Sequence, residues 1–227
     1  MGDFLIQAAG VRDAAEAAML AHSGVTHLGF PLRLDVHQPD TTEAEAARII
    51  AGLPPSVASV CITYATDPAE VAGLCRSLGC TGVQLHADLP ASAVEELRRL
   101  APELFIIKSL VVGRGGVETL LAAARALAPL VDAFLTDTFD PASGASGATG
   151  RTHDWDVSRA LVRASPRPVI LAGGLTPDNV KRAVAAVRPA GVDAHTGLED
   201  ATGAKDPALV QAFVDRALGA AQRLGLA

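Results

Sequence analysis

Three glycine-containing segments in the second half of the sequence have the composition of a phosphate site. They are the stretch 147–150, which ends in Gly150, the pair Gly173 and Gly174, and the pair Thr196 and Gly197. A phosphate needs several backbone N–H groups directed at it, and glycine permits the close approach and backbone angles that this requires. A helix N-terminus behind such a turn adds partial positive charge. The segments predict a phosphate-binding cradle, with ordinary tight turns as the alternative.

Histidine and aspartate side chains in or just after short apolar runs could carry out proton chemistry. They are His86, Asp88, Asp137, Asp193 and His195. Groups of this kind donate and accept protons when they are positioned against a substrate. The same set would also suit Zn²⁺ or Mn²⁺. A metal-dependent epimerase or lyase therefore stays open as an alternative to metal-free proton transfer.

The elements that must position these residues form a regular alternation. Short apolar runs occur at 4–8, 27–30, 57–63, 82–85, 105–110, 133–136, 169–172 and 192–194. Ala- and Leu-rich segments of helical periodicity separate them, and several begin with a capping residue followed by Pro, as at Asp67-Pro68 and Asp206-Pro207. Strand–helix alternation predicts a parallel sheet with right-handed crossovers. Eight units predict an α/β fold, a single (βα)8 TIM barrel spanning residues 1–227, with the working residues at the carboxyl ends of the strands.

Composition narrows the class of protein. The 227 residues are 49% hydrophobic and 19% charged, which is typical of a globular chain, and the net charge of −6 argues against a nucleic-acid partner. An apolar run of roughly 18 residues, as a membrane span needs, does not occur. The start of the sequence has no basic region followed by an apolar stretch, and the three cysteines form no CxxC pair. We therefore expect a cytoplasmic protein with reduced thiols.

Three longer motifs resemble phosphoribosylanthranilate isomerases. The sequence reads DAFLTDT over 132–138, GATGRTHDW over 147–155 and LAGGLTPDNV over 171–180. The resemblance implies an Amadori rearrangement of a phosphorylated aminosugar in tryptophan biosynthesis, without metal or organic cofactor. It also implies that Asp137 is the general acid. The phosphate contacts would be Gly173, Gly174, Thr196 and Gly197, with help from the loop at Gly150.

The sequence departs from that family at two places. The family's base is a Cys after the first strand, and Ala9 stands at this position. The family also holds the anthranilate carboxylate with an Arg after the second strand, whereas here Arg33 comes several residues early and His37 is nearby. Because strand eight neighbours strand one in a closed barrel, His195 is a candidate for the missing base, its ordinary pKa being near 6.5. The alternative is a histidine that only hydrogen-bonds phosphate or backbone.

Other polar residues receive more modest predictions. Arg33, His86 and Asp193 are predicted to contact substrate, with a packing role as the alternative for His86. Lys108 is predicted to form a structural ion pair with Asp137 inside the barrel mouth, with a substrate contact or a Schiff base as the alternatives. Glu199 is interpreted as a solvated charge. The expected partner is a phosphorylated small molecule, with no nucleic acid or membrane, and the chain is expected to be a monomer or homodimer. A non-catalytic binder of a phosphorylated metabolite remains the third function, motivated by Ala9.

Overall fold

The computed structural model describes residues 4–34, 38–113, 116–138, 152 and 154–227. Eight strands in this part of the chain form a closed parallel barrel in sequence order. The strands are β1 Leu5–Ala9, β2 His27–Pro31, β3 Ala58–Thr63, β4 Gly82–Leu85, β5 Phe105–Val112, β6 Ala133–Thr138, β7 Val169–Leu171 and β8 Gly191–Ala194. The predicted (βα)8 barrel is confirmed.

A helix follows each strand and covers the outside of the barrel. The helices are α1 Ala14–His22, α2 Glu43–Ala51, α3 Pro68–Leu78, α4 Ala91–Leu100, α5 Val117–Leu127, α6 Trp155–Ala164, α7 Pro177–Val187 and α8 Pro207–Arg223. A short 3₁₀ helix, Thr196–Leu198, lies between β8 and α8. The predicted caps form, since Asp67 accepts from the N–H of Ala69 and Asp206 accepts from those of Ala208 and Leu209. None of the described helices is long and apolar enough to cross a membrane.

Two strands run further than the apolar pattern predicts. β5 continues to Val112 and β6 to Thr138, two residues beyond each predicted end. The two extensions pair with each other, Val111 opposite Asp137 and Val112 opposite Thr138. The backbone pairing between the two extensions keeps the polar end of β6 in strand conformation, and this fixes the position of Asp137.

Glycine permits the closure of the barrel between its first and last strands. β1 and β8 pair in parallel, with Leu5 opposite Gly191 and Gln7 opposite Asp193. A Cβ at Gly191 would overlap the backbone of Leu5, so the seam requires glycine there. Closure brings the residues after β8 next to those after β1, as the sequence predicts.

The interior of the barrel contains both apolar and polar side chains. The inner apolar cluster consists of Ala9, Val60, Ile62, Ile107, Ala133, Leu135, Ile170 and Ala172. A larger apolar layer lies between the strands and the helices and includes Phe30, Phe134 and Phe213. Side chains along a strand alternate between these two layers. The buried polar residues Gln7, Gln84, Asp137 and Asp193 fall at interior positions by this alternation.

Candidate active site

A cavity of about 310 Å³ opens at the carboxyl ends of the strands. Ala9, Pro31, Leu34 and Ile62 supply its apolar wall among the described residues. Its polar lining consists of Gln38, Asp40, Tyr64, Gln84, His86, Asp137, Asp193, His195 and Thr196. We call this space the rim cavity. It brings together five of the residues singled out from the sequence: His86, Asp137, Asp193, His195 and Thr196.

Asp137 is a buried carboxyl group at the end of β6. Asp137 is only 6% exposed, and its Oδ1 accepts a 2.7 Å hydrogen bond from the N–H of Thr138. Burial raises the pKa of Asp137 to about 7, the nearby charge of Asp193 raises it further, and the Thr138 N–H and His195 oppose the rise. A substantial fraction of Asp137 is therefore protonated near neutral pH, which is the state that a general acid requires.

Asp193 is a second buried carboxyl group lining the rim cavity. Burial raises its pKa to about 6, while the Gln7 amide and the cations His195 and Lys205 lower it. Its Oδ1 has no hydrogen-bond partner among the described residues. Near neutral pH Asp193 is mostly ionised, so the two carboxyl groups differ in protonation state as an acid and a base would.

A chain of buried side chains crosses the barrel between β1 and β4. Nε2 of Gln7 donates to Oε1 of Gln84 at 2.7 Å, and Nε2 of Gln84 lies 2.8 Å from Nε2 of His86. Since Gln84 is the donor in this second contact, His86 carries its proton on Nδ1. Nε2 of His86 also lies 3.7 Å from Oδ2 of Asp137. The chain therefore ends beside the predicted acid.

His86 is held neutral by its surroundings. Burial lowers its pKa to about 3, with a further contribution from the charge of Lys108, and its ring stacks on Tyr64 with centroids 5.0 Å apart. Sequence reasoning missed Gln7, Gln84 and Tyr64. The signal was a single glutamine inside each of two buried apolar strands, where an unpaired amide would be costly and a partner is expected.

His195 reaches toward β1, where the sequence predicts it. Its ring occupies the space that a Cβ on Gly10 would need, and Gly10 has φ 82°, so a glycine there serves both the turn and the histidine. Nε2 of His195 lies 3.2 Å from Oε1 of Glu199 and 3.6 Å from Oδ1 of Asp40. The imidazole therefore lies between two carboxylates.

The charge state of His195 differs from the sequence expectation. Burial lowers its pKa, but Asp40 and Glu199 outweigh burial and raise the pKa to about 9. At neutral pH the ring is an imidazolium, which has no free lone pair to accept a proton. Glu199 is also not a solvated charge, because it accepts a 2.7 Å bond from the buried Nζ of Lys205 as well.

The glycine turns after β7 and β8 lie against each other. Gly173 and Gly174 have φ 91° and 59°, values in the left-handed region that favours glycine. A Cβ on Gly197 would overlap the carbonyl oxygen of Leu175, so the two turns are in direct contact. Helix α7 begins just behind them at Pro177. The two turns therefore lie together near the start of α7, and Gly150 lies outside the described residues.

Arg33 and Lys108 take positions that differ from the sequence expectations. Arg33, at φ 52°, donates to Glu43 at 2.9 Å and to Glu70 at 2.7 Å and is not part of the described cavity lining. His37 and His153 lie outside the described residues.

The predicted ion pair between Lys108 and Asp137 is wrong. Nζ of Lys108 donates to the carbonyl oxygens of Leu85 and Ser109 instead. The reason is strand alternation, because Ile107 faces the barrel interior and the next residue therefore faces the helices, whereas Asp137 faces inward.

The described residues contain no set of ligands of the kind that a metal-dependent epimerase or lyase would need. Within the described part of the chain, which includes His86, Asp88, Asp137, Asp193 and His195, no group of three or more His, Cys, Asp or Glu side chains is arranged to hold a metal ion. The three cysteines are buried and free.

The fold and the cavity place the chain in the class of (βα)8 barrels that bury titratable side chains at the carboxyl ends of their strands. The sequence profile of N-(5'phosphoribosyl)anthranilate (PRA) isomerase matches residues 6–216. The chain belongs to this family, and it is accordingly an isomerase of the intramolecular oxidoreductase class.

Individual relatives agree with this assignment. The N-(5'-phosphoribosyl)anthranilate isomerase 2 of Methanosarcina mazei is 39% identical over 93% of this chain and 93% of its own length. The corresponding Haloferax volcanii enzyme is 39% identical over 92% and 90%. The crystal structure of phosphoribosyl anthranilate isomerase from Thermotoga maritima matches with a TM-score of 0.79 at 28% identity, and the match covers 96% of this chain and 100% of that chain. A family structure in complex with reduced 1-(o-carboxyphenylamino)-1-deoxyribulose 5-phosphate has a TM-score of 0.77 at 25% identity, with coverages of 96% and 100%.

Proposed function

We propose that this protein converts N-(5'-phosphoribosyl)anthranilate into the corresponding 1-amino-1-deoxyribulose phosphate by an Amadori rearrangement. The observation that carries the proposal is the placement of the buried Asp137 in the same cavity as Thr196, next to the contacting turns of Gly174 and Gly197. In this proposal the turns beside Thr196 bind the phosphate, and Asp137 protonates the sugar.

The first step uses Asp137 as the acid. Its proton goes to the furanose ring oxygen, the C1–O bond breaks with its electron pair on that oxygen, and the nitrogen lone pair forms a C1–N double bond. Loss of the C2 proton then gives an enolamine, and protonation at C1 with formation of the C2 carbonyl completes the ketose. The rearrangement oxidises C2 and reduces C1 of the same molecule, so no external oxidant or reductant is needed.

The glycine turns are proposed to hold the phosphate. Gly173, Gly174, Thr196 and Gly197 present main chain at the start of α7, where backbone N–H groups and the helix dipole favour an anion. Gly150 is proposed to assist from its loop. Binding energy from this remote phosphate would orient the sugar against Asp137.

His195 is proposed to act as a cation in this site. It is the cationic side chain among the described residues that line the rim cavity, and it stands on the side of β1 and of Asp40. The ring is proposed to face the anthranilate carboxylate because it lines the cavity, whereas Arg33 is not part of the described lining, although Asp40 and Glu199 already balance part of the His195 charge.

The test is turnover of phosphoribosylanthranilate, followed as loss of its fluorescence, beside the same compound without its phosphate. We expect the phosphorylated compound to be consumed and the other to react at least about 100-fold more slowly in kcat/KM. The exposed variant Asp215→Asn should match the wild type. Equal rates for both compounds would contradict the proposed phosphate site. If neither compound were consumed, the proposed isomerase activity would be contradicted.

A second function is favoured by one observation, the presence of Ala9 in the cavity wall. A methyl group accepts no proton, so a non-catalytic binder of a phosphorylated metabolite would need nothing more there. Exchange of the C2 hydrogen of bound substrate with solvent separates the two functions, because a binder leaves that hydrogen in place.

A further inference from the structure

The proposed rearrangement requires a base at C2, and the described lining of the rim cavity offers few groups for it. Its titratable members are Asp40, Tyr64, His86, Asp137, Asp193 and His195. Asp137 is assigned to the acid step, and the lone pair of His86 Nε2 already accepts from Gln84. His195 is an imidazolium between Asp40 and Glu199, so neither it nor the paired Asp40 is a free base. The phenol of Tyr64 is a poor proton acceptor. These exclusions direct attention to Asp193.

Asp193 lies where the small side chain of Ala9 leaves room. Asp193 pairs in register with Gln7, two residues before Ala9 on the neighbouring strand β1. Since side chains alternate along a strand, Gln7 and Ala9 both face the interior, and Asp193 faces it one level below Ala9. Ala9 and Asp193 line the same cavity. Ala9 offers only a methyl group here, whereas Asp193 offers a carboxyl group.

The surroundings of Asp193 suit a carboxylate that must accept a proton. Oδ1 is buried and has no hydrogen-bond partner among the described residues. An ionised oxygen without donors is poorly stabilised and is therefore more basic than a solvated one. The neighbouring Gln7, His195 and Lys205 keep the group ionised enough to act near neutral pH.

We propose that Asp193 is the catalytic base that removes the C2 proton, in the place that a thiol has after the first strand in related enzymes. This inference rests on the proposed isomerase function. In the step, an Asp193 oxygen forms a bond to the C2 hydrogen, the C–H electron pair becomes the C1–C2 double bond, and the C1–N double-bond electrons return to nitrogen. Asp193 is then a neutral acid that can return the proton to C1.

The pH dependence follows from the groups around Asp193. Those that act on it are Gln7 on β1, Asp137 on β6, His195 after β8, and Lys205 before α8. Asp193 must be ionised, so the rate should fall below about pH 6, and Asp137 must be protonated, so the rate should fall above about pH 7. If neutral His195 were the base beside the same acid, the rate would instead be greatest near pH 8, midway between the two pKa values.

The experiment compares wild type with Asp193→Asn and His195→Gln on phosphoribosylanthranilate, with ordinary hydrogen or deuterium at C2. For Asp193→Asn we expect kcat to fall at least about 100-fold with KM within about 3-fold, a larger deuterium effect, and loss of the acidic limb. For His195→Gln we expect a raised KM and a retained acidic limb. A second variant, Asp193→Ala with added formate, should regain at least about 10-fold of its lost rate.

The outcomes separate this inference from the function on which it rests. If the wild type does not consume the substrate, the proposed function fails and the base assignment fails with it. If the wild type is active and Asp193→Asn keeps more than about a third of its kcat, only the base assignment is overturned. A wild-type pH profile with its maximum near pH 8 and not near pH 6.5 would likewise overturn it in favour of His195.

Discussion

The side-chain amide of Gln7 on β1 donates a 2.7 Å hydrogen bond to Oε1 of Gln84 on β4, across the interior of the barrel. Gln7 is fully buried and Gln84 is 1% exposed. Gln84 in turn contacts His86, whose Nε2 lies beside Asp137. The two uncharged glutamines therefore connect β1 to His86, which lies beside the proposed acid Asp137. The donor amide of Gln84 also fixes the tautomer of His86.

Replacement of Gln84 by Leu should disturb both stability and activity. It leaves the Gln7 amide and His86 Nε2 buried without partners, which costs about 1–3 kcal/mol per group. We expect a lower free energy of unfolding in urea and a lower kcat. Gln211→Leu is the matched control, since Gln211 makes an exposed hydrogen bond to Asp215 and its loss should change stability by no more than about 0.5 kcal/mol. Equal effects of the two changes would contradict this account of the glutamine chain.

Asp137 should make stability depend on pH. Its pKa is about 7 in the folded protein and 3.8 as the reference value, so between these values the folded state holds the extra proton. The stabilisation is complete below about pH 4 and is lost as pH rises through 7. At pH 8 Asp137→Asn should therefore be more stable than wild type, by on the order of 3 kcal/mol, with little difference at pH 4. Urea unfolding at both pH values checks this, and a variant less stable at pH 8 would contradict it.

Gly197→Ala should weaken substrate binding. The added methyl group overlaps the carbonyl of Leu175, so one of the two contacting turns must move. We expect KM to rise at least about 10-fold and stability to fall by about 1–3 kcal/mol. Gly73→Ala on exposed helix α3 is the matched control, because its methyl group meets no atom within 4 Å and should add about 0.5–1 kcal/mol. An unchanged KM in Gly197→Ala would place the phosphate elsewhere.

Asp40→Asn should lower the pKa of His195. Asp40 and Glu199 together raise this pKa to about 9, so removal of one charge should move it back toward 6.5. An NMR titration of the ring measures the change, and His27, whose pKa burial lowers to about 4, serves as an internal reference. Glu95→Gln on α4 should leave His195 unaffected. A wild-type pKa at or below 6.5 would restore His195 as a candidate base.

Strand positions and the main site residues could be predicted from the sequence because they depend on local pattern. The apolar runs located all eight strands, and the ends of β6 and β8 then placed Asp137 and His195 at one rim. What escaped prediction depends on contacts between distant segments. The pKa of His195 is set by Asp40 from another loop, and the amide of Gln7 is satisfied by Gln84, 77 residues away. The position of Lys108 was predictable in principle, because alternation from Ile107 points it outward.

The central claim is that Asp137 protonates a phosphorylated aminosugar held in the rim cavity. Its most direct test is a single-turnover measurement with excess protein and phosphoribosylanthranilate at about pH 6.5, comparing wild type with Asp137→Asn. The account predicts complete conversion by wild type and a rate at least about 100-fold lower for Asp137→Asn. Equal rates for the two proteins, or no conversion by wild type, would contradict it.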